Sequence, residues 1–405
     1  REAQSSKAPL QRIADKYAVV FTPATVIVCA VAYAISGDWD RVLAVLAIAT
    51  PCPLILATPV AILGGMNRSA RHQILIRNGG AIENLGAASA VLLDKTGTIT
   101  LGRPEVSRVI SLGSEGENEL LRLAAAVEQG SGHLLARTLI TEALARGQVS
   151  GHAEHVVEYS GQGVEGYAEG KRITVGGRSF IASRYPSERE RIERFDADGN
   201  GGAALRAYVA VDGSFAGVIE YADMIRPGIA AFIRKLGEAG VRHVILLSGD
   251  RDENVKLAAE ESGIREWHSD MLPAEKVDVV KKLMDRGESV VMMGDGTNDA
   301  PALTSATVGV ALASHGRGIA TEAADVILLA DDPTRLLDGI EISRRTVRIA
   351  KQSIRYGLGI SAVGMAFAAA GRIPPIAGAA LQEVIDLAVI LNALRASRRP
   401  MYGKR

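Results

Sequence analysis

"ASAVLLDKTGTIT", Ala88 to Thr100, decides how this chain reads. A short apolar run ends abruptly in an aspartate, and a lysine, a threonine and a glycine follow. Two later stretches share the form: "VRHVILLSGD" (Val241 to Asp250) and "ESVVMMGDG" (Glu288 to Gly296). Between them lie helix-period segments such as "IRPGIAAFIRKLGEAG" and "PAEKVDVVKKLMDRG". Continuous apolar strands alternating with helices imply a parallel sheet buried on both faces. Functional groups in such sheets gather beyond the strand C-terminal ends. Asp94, Asp250 and Asp295 are therefore expected on one rim.

A carboxylate placed this way can act as a nucleophile toward phosphorus, provided a metal and a cation neutralise the incoming phosphate. Asp295 and Asp299, in "GDGTNDAPAL", offer the hard oxygen donors that Mg²⁺ favours. Lys276 can offset phosphoryl charge, and Ser248 and Gly249 can donate hydrogen bonds to its oxygens. A single strand-end Asp is more often a turn or cap residue. Three of them, together with "DKTGT" and "GDGTNDAPAL", outweigh that bland alternative.

Outward from this centre the texture changes. From about Pro104 to Phe215 the chain is richer in charge, glycine and turns, and reads as a second α/β domain inserted after the first strand. Beyond both lie four apolar stretches, roughly Ala18 to Ile35, Val42 to Gly64, Leu358 to Ala370 and Ile376 to Leu394. A span needs about 20 mostly apolar residues. Four transmembrane helices in two hairpins are expected. Arg68, Arg71 and Arg77, then Arg344, Arg345, Arg348 and Lys351, flank the polar middle, and the tail adds Arg395, Arg398, Arg399, Lys404 and Arg405. The positive-inside rule places all of these, and the soluble domains, in the cytoplasm.

The 405 residues carry a formal net charge of zero, with no basic stripe interleaved with aromatics, so nothing argues for nucleic acid. Two cysteines, Cys29 and Cys52, make no disulfide scaffold in a chain this long. The chain begins at Arg1, not Met, and is expected to be a piece of a longer protein.

"DKTGTIT" with "GDGTNDAPAL" resembles the signature of P-type ATPases, whose phosphorylation domain is shared with haloacid dehalogenase-like phosphotransferases. The resemblance implies an aspartyl-phosphate at Asp94, with Lys95, Asp223 of "YADMIRP", Ser248, Gly249 and Asp250 of "SGD", Lys276, Asn298 and Asp299 around it. It also implies Mg²⁺ at Asp94, Thr96 and Asp295. Thr96 stands where related phosphatases carry a second Asp as general acid, so the acyl phosphate should persist. "VEQGSGHLLA" (Val127 to Ala136) and "GQGVEG" (Gly161 to Gly166) resemble the nucleotide-site elements of the heavy-metal branch. That likeness assigns Glu128, His133, Gly161 and Gly163 to the adenine end of ATP. Leu134 replaces the family's usual Pro. Taken alone, "GQGVEG" reads as a glycine turn, and a lone His as structural.

"AIATPCPLILATPVAIL", Ala47 to Leu63, is apolar yet carries Pro51, Pro53 and Pro59. Proline removes an N–H and clashes with the carbonyl four residues back, so the helix must break. Broken backbone at membrane depth is tolerated where it lines a cavity or lies inside protein. Thr-Pro-Cys (Thr50 to Cys52) takes the place of the branch's metal-binding triplet. In "LQEVIDLAVILNALR", Gln382, Glu383 and Asp386 are expected partners, with Glu383 and Asp386 (i, i+3) on one helix face and Gln382 and Asp386 (i, i+4) sharing much of it. Intramembrane carboxylates usually mark an ion path. One thiol with oxygen donors suits a borderline divalent ion better than Cu(I). The combination resembles a subgroup linked to Ni²⁺, with Co²⁺ and Fe²⁺ as relatives; Zn²⁺ or K⁺ stay open.

The expected organisation is a linker at 1–17, a transmembrane hairpin at 18–66, phosphorylation domain at 67–104 and 216–350, nucleotide-binding domain at 105–215, a second hairpin at 351–395 and a basic tail at 396–405. The function implied is ATP-driven export of a divalent transition metal, in a bacterial plasma membrane. No Thr-Gly-Glu loop of an actuator domain is present, so this chain alone is expected to bind ATP and phosphorylate without completing transport. The alternative is a nonproductive or regulatory ATP-binding membrane fragment.

Overall fold

A computed structural model describes residues 9–50, 52–148, 151–197, 205–294, 298–313 and 322–398. The chain enters through helices α1 (Pro9–Ser36), α2 (Trp39–Ile48) and α3 (Cys52–Arg71). Asp38 caps α2 by accepting from the amide of Asp40. The expected break falls between α2 and α3, where Ala49 and Thr50 are not helical. Pro53 sits in the first turn of α3, where a missing N–H costs little. Next come β1 (Ile74–Ile76), α4 (Gly79–Gly86) and β2 (Ala90–Asp94), then a tight loop and the long strand β3 (Thr100–Ser111).

The inserted domain follows. Its elements are α5 (Glu117–Glu128), α6 (Leu134–Ala145), β4 (Glu154–Tyr159), β5 (Gly163–Ala168), β6 (Lys171–Gly176), α7 (Arg178–Arg184), α8 (Arg189–Phe195), β7 (Leu205–Val211) and β8 (Ser214–Ile225). The chain then returns through α9 (Ile229–Glu238), β9 (His243–Leu247), α10 (Asp252–Ser262), β10 (Glu266–His268), α11 (Pro273–Asp285), β11 (Val290–Gly294), α12 (Ala300–Ser305), β12 (Val308–Leu312) and β13 (Val326–Leu328). It leaves along α13 (Arg335–Ala369) and α14 (Pro375–Ala393).

The first sheet has strand order β1-β13-β12-β11-β2-β9-β10, parallel except for β1 against β13. Its strands read as unbroken apolar runs because both faces are buried. Val91 and Leu93 of β2 point into one core with Ile82, Phe232 and Ile340, while Ala90 and Leu92 point into another with Val280 and Leu303. The second sheet, β3-β8-β7-β6-β5-β4, is antiparallel. Helices α5 and α6 cover one face, and α7 and α8 the other. Its strands β3 and β8 run past the expected bounds 105 and 215 and pair as a two-stranded ribbon into the first sheet.

The apolar stretches form helices of unequal kind. Only Pro375–Ser397 is long and apolar enough to cross a membrane among the described residues, and Phe21–Ser36 is a shorter apolar helix. Four spans are therefore not established by length and composition. The second stretch is split at Ala49 and Thr50 but runs on as one helix through Pro59, and the third is merely the end of a 35-residue helix whose first half is basic. The four pack together nonetheless. Ala44, Val45 and Ile48 of α2 meet Met365 and Ala368 of α13, and Ala57 of α3 meets Ile385 and Val389 of α14.

Candidate active site

Register builds the rim. Asp94, the last residue of β2, pairs with Leu247 of β9, so Ser248 follows one step beyond. Met293 of β11 pairs with Leu93 on the other side, which brings Gly294 level with Asp94. Asp295 lies outside the described residues. Lys276, from α11, places its Nζ 2.5 Å from Asp94 Oδ1 and 2.7 Å from Asp299 Oδ1. The three side chains are 6%, 7% and 1% exposed for Lys276, Asp94 and Asp299, so water screens them little. Burial alone pulls the Lys276 ammonium down, but the charges of Asp94 and Asp299 outweigh it and hold the group above its usual range. Gly294 makes room for this: a Cβ there would meet Asp299 Oδ2 at 2.5 Å.

Lys95 pairs with Asp250 across the same rim. Ser248 Oγ accepts from the Asp250 amide at 3.1 Å, and a Cβ on Gly249 would lie 3.1 Å from the Met271 carbonyl. Thr96 and Asn298 are exposed beside it. The loop between β2 and β3 turns at Gly97, whose φ of +68° favours glycine. Its anchor is a residue that sequence reasoning passed over. Arg226, buried, donates from Nε to the Thr100 carbonyl at 2.8 Å and from Nη2 to the Gly97 carbonyl at 3.1 Å, and pairs with Asp331 at 2.7 Å. The signal was present in "YADMIRP", where only Asp223 drew notice. Asp223 itself accepts from Thr100 Oγ1 at 2.5 Å and from the Gly102 amide at 2.9 Å. It therefore ties β8 to the start of β3, where the inserted domain begins.

The donor set expected for Mg²⁺ is Asp94, Thr96 and Asp295. It fits the ion in kind, being two carboxylates and a threonine oxygen; Asp94 and Thr96 stand at the rim, and Asp295 lies outside the described residues. Among the described residues, no group of three or more His, Cys, Asp or Glu side chains is placed to hold a metal.

In the inserted domain, Glu128, His133, Gly161 and Gly163 all line one cavity of about 240 Å³, with Tyr159, Gln162, Arg206 and Tyr221. His133 caps α6: its Nδ1 accepts from the Leu135 amide at 3.3 Å, which leaves the neutral ring's N–H on Nε2. It is thus both a structural cap and a cavity residue. "GQGVEG" is the end of the β4–β5 hairpin turn, with Gly161 at φ +71°, and the start of β5 from Gly163. Gly163 faces Gly176 across β5 and β6, and a Cβ on it would strike the Val175 carbonyl and lie 2.7 Å from the Phe180 ring. Burial pushes the Glu128 carboxyl up to about 7; a hydrogen bond from Ser131 opposes this and the Glu158 charge adds to it. A second cavity of about 510 Å³ holds Lys95, Thr96, Asp223 and Asp250, and shares Leu205 and Tyr221 with the first. The two sites are neighbours with a common wall.

At the helix break, Thr50 Oγ1 is buried with no hydrogen-bond partner among the described residues. The backbone of Cys52 starts α3, and its side chain lies outside the described residues. On α14, Gln382 is buried, donates from Nε2 to Asp386 Oδ1 at 2.9 Å and accepts from Ser361 Oγ of α13 at 3.2 Å. Glu383 does not join them. It is exposed, because each helical step turns about 100° and the inward face here is that of Gln382 and Asp386. Of the two expected spacings, Gln382–Asp386 is the one that meets inside and Glu383–Asp386 is not, and Ser361 is a residue the sequence did not single out.

Residues 88–307 match the haloacid dehalogenase-like hydrolase family, and the chain belongs to it. Within that family, the relatives it resembles are P-type ATPases. It is 36% identical to a zinc-exporting P-type ATPase of Mycobacterium marinum over 98% of this chain and 54% of the relative. It is 35% identical to a manganese-exporting P-type ATPase of Mycobacterium bovis, over 98% and 55%, and to a copper-exporting one of Bacillus subtilis, over 98% and 50%. The chain spans about half the length of the curated relatives it matches. Among solved structures, a zinc-transporting PIB-type ATPase in the E2.Pi state superposes with a TM-score of 0.83 at 31% identity, over 98% of this chain and 66% of that one.

Proposed function

We propose that this chain carries the catalytic and ion-binding part of an ATP-driven exporter of a divalent transition metal, working through an aspartyl-phosphate at Asp94. The observation that carries the reading is the buried Asp94–Lys276–Asp299 cluster at a strand end, beside a cavity lined by Lys95, Thr96, Asp223 and Asp250 that shares Leu205 and Tyr221 with the nucleotide-type cavity. ATP would seat its adenine among Glu128, His133, Gly161 and Gly163, with its phosphates toward Asp94. An Asp94 oxygen attacks the γ-phosphorus, the bond to ADP breaks, and Lys276 stays protonated to balance the charge gathered there. Mg²⁺ held by Asp94, Thr96 and Asp295 would supply further neutralisation of phosphate charge. Thr96 has no proton to donate as a carboxylic acid would, which favours a long-lived acyl phosphate.

Membrane placement through four spans, with catalytic domains cytoplasmic, is supported by where the exposed large apolar side chains lie. Ile27, Ile35, Leu43, Ile55, Leu63, Val363, Ile376 and Leu387 all stand on α1, α2, α3, α13 and α14. For the transported ion we propose Thr50, Cys52, Gln382 and Asp386 as ligands. One thiol among oxygen donors favours Ni²⁺ or another borderline divalent ion, whereas the relatives' names carry zinc, manganese and copper. Phosphoenzyme formation from labelled ATP and Mg²⁺, across Ni²⁺, Co²⁺, Fe²⁺, Zn²⁺, Mn²⁺ and Cu⁺, tests both halves. Label that needs Asp94 and one metal, and that is lost in Cys52→Ala, is the expected result. Label indifferent to metal and to Cys52→Ala would remove the ion site from this proposal, and label retained in Asp94→Asn would remove the phosphorylation site.

A further inference from the structure

Where α3, the start of α13 and the end of the chain's last helix meet, a cavity of about 820 Å³ opens that neither nucleotide nor transported ion accounts for. Its lining is Arg68, Arg71, His72, Arg335, Ser397 and Arg398, with no acidic side chain among them. Part of this charge is answered at one end: Arg335 lies 3.5 Å from Asp332, and His72 lies 3.8 Å from Asp338. At the other end Arg68 Nη1 donates to the Arg398 carbonyl at 3.0 Å, and neighbouring Arg345 donates from Nη2 to the Arg395 carbonyl at 3.3 Å. Burial, and then the charges of Arg68, Arg395 and Arg348, lower the affinity of Arg345 for its proton, a sign of crowded cations.

A positive-inside signal needs only arginines in solvent. Here the elements close around them. Gly64 of α3 packs so tightly on the last turn that a Cβ would lie 3.1 Å from the Ser397 amide. Both helices that deliver the arginines also carry exposed leucines just before them: Leu63 before Arg68, and Leu391 and Leu394 before Arg398. Five residues of helix advance about 7.5 Å, the scale on which a headgroup gives way to acyl chain.

We infer that this cavity binds the phosphate headgroup of an anionic membrane lipid, with Arg71 and Arg398 as the outer clamp and the acyl chains lying along Leu63 and Leu394. Basic pockets between membrane helices on the cytoplasmic side bind such headgroups. This inference rests on the membrane placement proposed above. Flotation of the chain with phosphatidylcholine vesicles tests that placement by itself.

The test of the lipid site uses the 405-residue chain, delipidated in neutral detergent. Its thermal midpoint is followed while cardiolipin, phosphatidylcholine or inorganic phosphate is titrated in at 0.15 M salt. Cardiolipin should raise the midpoint saturably, and the other two should not. Arg71→Gln with Arg398→Gln should weaken the apparent affinity roughly ten- to thirtyfold. Arg71→Lys, which keeps the charge, should retain it, and Arg194→Gln, on the inserted domain's exposed surface, should change nothing. An equal response to phosphatidylcholine, an equal response to inorganic phosphate, or an unchanged affinity in the double variant would each overturn the lipid site.

Discussion

Two ionisable groups, buried Lys276 and half-buried Glu128, dominate at the scale of single residues. Lys276 is shared by two carboxylates in a dry site, so removing it strands both. Lys276→Met should cost about 3 kcal/mol of stability, read from denaturant midpoints, and reduce phosphoenzyme formation by about a hundredfold. Glu128 gives a pH prediction. Its carboxyl titrates near 7 in the fold, against about 4.5 in the open chain, so between those values the folded state binds the extra proton. Stability should therefore fall as pH rises from about 5 to 8, by up to about 3 kcal/mol, and Glu128→Gln should flatten that slope. A flat profile in the parent would contradict the burial that sets this group. Asp94, Lys276 and Asp299 were legible in the sequence because motif spacing and strand ends fix them. Ser361 was not, since a serine that orients a glutamine carries no spacing of its own; Arg226 lies within "YADMIRP", but nothing in that stretch shows which loop it holds.

Individual elements owe their form to prolines and glycines. The α2–α3 break was plain from "TPCP", because no tertiary packing restores a helix through prolines so placed. Replacing Pro51 and Pro53 with alanine should let α2 run on into α3. The expected outcome is loss of metal-stimulated labelling while nucleotide affinity stays unchanged. In the inserted domain, Gly163 and Gly176 let β5 and β6 lie under Phe180 beside the cavity. Gly163→Val should cost about 1–3 kcal/mol and weaken ATP binding, measured by thermal melting with and without nucleotide. Which way α14 turns its polar residues was less legible. Gln382, Glu383 and Asp386 fit one stripe by spacing, and only packing against Ser361 of α13 selects Gln382 and Asp386 for the inside.

At the scale of the whole molecule, the inserted domain hangs from the first sheet by the β3–β8 ribbon, which Asp223 clasps through Thr100 and Gly102. Asp223→Ala should loosen the angle between the two cavities. Phosphorylation should slow at least tenfold in single-turnover assays, while the nucleotide dissociation constant moves less than twofold; a matched loss of affinity would instead place Asp223 on the nucleotide. The same insertion has an outcome on the ribosome. β2, which ends in Asp94, pairs with β9 and β11, whose residues begin at His243 and Val290, so its neighbours do not yet exist when it is made. At about 5–20 residues per second, roughly 7–30 s pass before the first of them is made. The inserted domain, whose strands all lie within that interval, can complete its own sheet first. The nascent protein thus completes its inserted domain before Asp94, the carboxylate proposed for phosphorylation, has a site around it.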